Sequence, residues 1–147
     1  MIRDRIVAGG IAGISASVIQ NIYGQLIKGA GLTDRAFLDF AEIALFGQTY
    51  NGVLGFIAGV IAHLTFGLMF GIMFALIILK TSNNYLYIKG TGVGIAIWFW
   101  TLAVATLFNL PMFAVIPPSA SVLILIGAIL WGIIAAFSLK LLAPHML

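Results

Sequence analysis

The 147-residue chain reads as an all-α polytopic membrane protein, with four transmembrane helices and one amphipathic interfacial helix between the first two. Two observations carry that expectation. The chain is 63% hydrophobic and 7% charged, with a mean hydropathy of +1.19, whereas a soluble domain carries about 25% charged residues. Four apolar runs, separated by short polar segments, are each long enough to cross a bilayer, which takes about 20 residues. The length fits a single domain.

The first span covers about residues 6–27, roughly 33 Å at about 1.5 Å per residue. Arg3 and Arg5 precede it, and small residues gather near Ser15, Ala16 and Ser17, as in a signal peptide. We read it as a retained first helix. Its second half is polar for a spanning helix: Ser15, Ser17, Gln20, Asn21, Tyr23 and Gln25.

The interfacial helix is expected over about 33–47. Thr33 or Asp34 can cap it, and Arg35, Asp39 and Glu42 form a polar face at i, i+4, i+7. Arg35 and Asp39 are spaced to pair, for about 0.2–0.5 kcal/mol.

The second span covers about 52–79 and is longer than a hydrocarbon core requires, so it tilts or projects. A polar loop from Lys80 to Lys89 follows. The third span covers about 90–113, with Asn109 and Pro111 near its end. Pro117 and Pro118 turn the chain, and Ser119 opens the fourth span, about 119–142.

Basic residues set the orientation. Arg3, Arg5, Lys80, Lys89 and Lys140 fall on one side, and Lys28 and Arg35 on the other, which predicts cytoplasmic N- and C-termini in a cell (inner) membrane. The net charge of +3 is therefore a topology signal and not one for nucleic acid. The absence of cysteine excludes disulfides, thiolate-bound zinc and iron–sulfur clusters.

An interval of four residues recurs. The second span carries Gly55, Gly59, His63, Gly67 and Gly71; the first carries Gly9, Gly13, Ser17, Asn21 and Gln25. The third has Thr101, Ala105 and Asn109, and the fourth Ala120, Ile124, Ala128, Gly132 and Ala136. A step of four drifts by about 40° around a helix, so each stripe winds. Winding small-residue stripes suit right-handed crossings with close backbones. Gly9, Gly13, Gly55, Gly59, Gly67 and Gly71 are thus expected in a packing seam, and a stripe of this kind also suits a homo-oligomer. Matching depths in an antiparallel pair sets His63 level with Ser17 and Asn21.

His63 is the only histidine inside an apolar run; His145 lies in the tail. Three readings remain open for it. It can be a hydrogen-bonded packing residue, a gate or solute-binding group in a pathway with Ser17, Asn21, Gln25 and Asn109, or a haem b ligand paired with its copy across a dimer. Otherwise no cofactor and no metal is expected. Trp98, Trp100 and Trp131 fall within the spans by residue count and read as helix–helix packing. No Asp, Glu, Lys or Arg lies mid-span, which argues against a carboxylate proton relay, a voltage sensor and a retinal Schiff base. No catalytic triad, metal-ligand spacing or phosphate loop is present, so a non-enzymatic role is expected.

The segment HLTFGLMFG, from His63 to Gly71, resembles a second-helix pattern of small four-helix bacterial inner-membrane proteins. The resemblance implies topology and origin and transfers no site. The leading expectation is a protein that binds or conducts a small solute along the seam between the first two spans. The alternatives are a structural or assembly subunit of a membrane complex, and the haem protein.

Overall fold

The computed structural model describes residues 4–144. Arg3 of the N-terminal basic pair and His145 of the tail lie outside the described residues. Five helices and no strands occur among the described residues: α1 (Arg5–Gly29), α2 (Phe37–Phe46), α3 (Val53–Lys80), α4 (Leu86–Leu107) and α5 (Pro118–Leu142). All but α2 are long and apolar enough to cross a membrane, compatible with a small integral membrane protein.

Local chemistry sets the boundaries. Asp4 caps α1 by accepting from the backbone N–H of Ile6 and Val7. Gly47 ends α2 in the left-handed conformation, where glycine carries no Cβ penalty. Pro118 begins α5, where its missing N–H costs nothing. The third span differs most from expectation. It starts earlier, after a left-handed turn at Tyr85, and its helix stops at Leu107 instead of continuing to 113. Asn109 and Met112 have positive φ and Pro111 between them has no N–H, so the ladder cannot continue.

The long helices stand in an open arc in the order α3, α1, α5, α4. Consecutive helices α3 and α4 barely touch, which leaves a cleft between them. One apolar core joins α1, α3, α4 and α5 near the 81–85 loop, around Phe74, Ile78, Leu86 and Leu139. A second core joins α2 to α4 and α5 through Phe37, Ile43, Phe113 and Ile124.

Close backbone approach builds two of the interfaces. A Cβ on Gly9 would sit 2.6 Å from that of Ala75, and a Cβ on Gly71 would sit 2.6 Å from Cα of Gly13. Gly13 faces the backbone of Gly67, and on the other side of the molecule Gly90 and Gly94 face Gly132 and Ala128. The upper members of the α3 stripe do not meet α1. Gly55 lies against the Tyr50 backbone and Gly59 against Leu38 of α2. A winding stripe explains this, because each step of four turns the face toward a new neighbour.

The helix between the first two spans is shorter than expected, and its charged side chains turn inward. Asp39 pairs with Lys28 at 2.7 Å and accepts from the backbone N–H of Ala36 at 2.6 Å. Buried Glu42 accepts from the Tyr50 N–H at 2.8 Å. The anticipated Arg35–Asp39 pair does not form. Arg35 precedes the helix, pairs with Asp34 at 2.6 Å, and donates to the carbonyls of Met112 and Val115. These contacts tie α2 to α1, to its own following loop, and to the α4–α5 connection.

Candidate functional site

A cavity of about 180 Å³ lies where α2 spans the cleft, between the two apolar cores. α1 supplies Ser17 and Gln20, α3 supplies His63, α4 supplies Thr101, and α5 supplies Trp131. These residues converge because α1 and α5 sit at the centre of the arc while α3 and α4 flank it. Phe37 and Phe40 of α2 form the roof, and Phe66, Phe70 and Trp100 line the gap between α3 and α4. Trp100 is 63% exposed, so the cavity opens sideways at that gap.

His63 is 5% exposed. Its Nδ1 lies 2.5 Å from Oδ1 of Asn21, an oxygen that only accepts, so Nδ1 donates there; in the neutral ring Nε2 is then an acceptor. The Phe37 ring is parallel to the imidazole to within 4°, with centroids 6.2 Å apart. Ser17 is completely buried and accepts from Nε1 of Trp131 at 2.9 Å.

Gln20 is 5% exposed and Thr101 6%. Every fully enclosed polar side-chain atom among the described residues has a hydrogen-bond partner. The Gln20 amide, the Thr101 hydroxyl and Nε2 of His63 have none, so they face open space, which here is the cavity. Groups open to a cavity and without a protein partner can each make a hydrogen bond to an occupant. No Asp, Glu, Lys or Arg lines the cavity.

The structure brings together His63, Asn21 and Ser17 but not Gln25 or Asn109. Gln25 is exposed and lines a separate surface pocket together with Lys28 and Asp39, because the α1 stripe has rotated away by that turn. Asn109 is exposed beyond the end of α4, where its positive φ serves the chain reversal. Gln20, Thr101 and Trp131 were not anticipated as site residues. Gln20 stands at i, i+3 from Ser17 on the same helix face, beside the interval-of-four stripe and not in it.

The haem alternative does not suit these residues, because the space that the glycines flanking His63 leave is filled by Leu38 at Gly59 and Ser17 at Gly67. A porphyrin has no room beside the ring, and the buried imidazole offers no face to a second copy. On its lower side the seam between α1 and α3 is closed, with Gly13 and Gly67 meeting backbone to backbone. No protein-family model, curated protein or solved structure matches the chain.

Proposed function

We propose that this is a four-span membrane protein that binds a small neutral ligand in the His63 cavity, entering through the cleft between α3 and α4. The observation that carries the reading is the set of three deeply buried polar groups, on α1, α3 and α4, that have open space where a partner belongs. An apolar pocket with a few convergent polar groups is the usual form of a binding site. Binding is favoured over conduction because the α1–α3 seam has no width at Gly13 and Gly67. A second copy is not required, since the stripes of α1 with α3 and of α4 with α5 already pack within one chain. The basic-residue distribution supports cytoplasmic termini, with α2 at the opposite interface of an inner membrane.

The test uses 4-fluorophenol, a single ring with one hydroxyl, added to the full chain in phosphatidylcholine nanodiscs and followed by fluorine NMR. A bound resonance is expected, and the double variant Gln20→Leu/Thr101→Val should weaken binding at least about tenfold. A wild-type spectrum without a bound species, or a double variant that binds equally well, would sink the proposal.

A further inference from the structure

Resting on that reading, we infer that the occupant is the ring of a tailed quinone or quinol, held in the cavity with its apolar tail leaving between α3 and α4. Four features select this chemistry. The first is size. A cavity of about 150 Å³ accommodates a benzene ring, so about 180 Å³ suits one substituted ring and not a branched headgroup.

The second is charge. No formally charged side chain lines the cavity. A phosphate or ammonium headgroup would enter without a counter-ion, and an unpaired buried charge is strongly disfavoured. The ligand is therefore neutral.

The third is the polar set. Gln20 offers donors and an acceptor, Thr101 a hydroxyl that does either, and Nε2 of His63 an acceptor. Ring carbonyls accept hydrogen bonds from the Gln20 amide N–H and the Thr101 hydroxyl. Ring hydroxyls of the reduced form donate to Nε2 and to the Gln20 carbonyl. One site thus satisfies both oxidation states, and an acyl chain satisfies neither Gln20 nor Thr101 nor His63.

The fourth is shape. Phe37, Phe40, Phe66, Phe70 and Trp131 surround the space with aromatic faces and edges, which suit a flat ring. The opening is lateral, beside exposed Trp100, where the neighbour of a spanning bundle is the lipid tail region. A ligand that lives in the bilayer and carries an apolar tail enters there without crossing water.

Quinones quench indole fluorescence, and Trp131 and Trp100 both line the cavity. The full chain in quinone-free phosphatidylcholine nanodiscs is titrated with decylubiquinone, and separately with its reduced form against bound 4-fluorophenol. Saturable quenching is expected, with displacement of 4-fluorophenol by both forms. Gln20→Leu/Thr101→Val should weaken quinone binding at least about tenfold, and Gln20→Leu alone, a substitution of similar size, should weaken it several-fold. If 4-fluorophenol binds but neither form displaces it, the quinone assignment is overturned and the binding site stands. Displacement by decanol as effective as by decylubiquinone also overturns it, because the cavity would then read only a tail. If 4-fluorophenol does not bind, both ideas fall.

Discussion

Gln20 makes a test of opposite sign from most core substitutions. Its amide has no protein partner and opens on the apolar cavity, so exchanging it for an apolar side chain of similar size removes a largely desolvated polar group and should stabilise the ligand-free protein. Gln20→Leu is expected to raise unfolding free energy by about 1 kcal/mol in nanodiscs without ligand. Unfolding measured by steric trapping checks this; a loss of stability would mean that the amide already has a partner. Trp131→Phe should act in the other direction, since it removes the hydrogen bond to Ser17, with a cost of about 0.6 kcal/mol. Asp34 adds a pH dependence at the surface. The hydrogen bond from Arg35 holds its carboxyl below the ordinary aspartate range. A lowered folded-state value gives stability that is complete above the unfolded aspartate pKa and is lost as pH falls through the folded one. Asp34 is exposed, so the effect is small and screened by salt. Asp34→Asn should abolish this part of the acid-side slope and leave stability near neutral pH little changed. Of the site, His63, Asn21 and Ser17 are legible in the sequence because their period matches that of the glycines. Gln20 and Thr101 are not, since their meaning comes from what fails to face them.

Helix pairs in lipid are held by close contact and not by exclusion of water. Glycines that look alike in the sequence should therefore differ widely in their tolerance of a side chain. At Gly13 an added Cβ meets the backbone of Gly67, and neither helix can yield without moving the whole α1–α3 pair. At Gly10, on the same helix, the nearest atom is a Leu68 side-chain carbon at 3.5 Å, an ordinary contact. Gly13→Ala is expected to destabilise by several kcal/mol and Gly10→Ala by less than about 0.5 kcal/mol. Gly92 in α4 has nothing within 4 Å, so Gly92→Ala should stabilise by about 0.5–1 kcal/mol through helix propensity alone. The same three variants ranked in any other order would remove the close-packed account of this pair. The interval of four made the small face of α3 legible, but its partners were not. Gly55 and Gly59 serve the returning loop and α2, a choice set by where α2 comes to rest. The charges of α2 were equally visible. Their inward direction depends on Lys28, the Ala36 N–H and the Tyr50 N–H being at hand to receive them.

At the scale of the molecule, four spans follow from hydropathy, but their order around the bundle does not. The 81–85 connection is short, and short connections usually join neighbours. Here α3 and α4 are tethered at one end and diverge toward the other, because each finds its close-packed partner elsewhere, α3 on α1 and α4 on α5. The divergence leaves the cleft, and α2 spans its wide end. The leaflet that feeds the cavity therefore depends on orientation. Cytoplasmic termini set α2 and the open end of the cleft toward the outer leaflet; the reverse sets them toward the inner one. The chain has no cysteine, so single-cysteine variants report cleanly. Thr49→Cys sits beside α2 and Asn83→Cys in the opposite loop. With an impermeant maleimide on intact cells, Thr49→Cys should label at once and Asn83→Cys only after permeabilisation. The inverse pattern would overturn the charge-based orientation and move the cleft to the inner leaflet. Equal labelling of both from outside would show a mixed population, in which neither leaflet is the single source of the ligand.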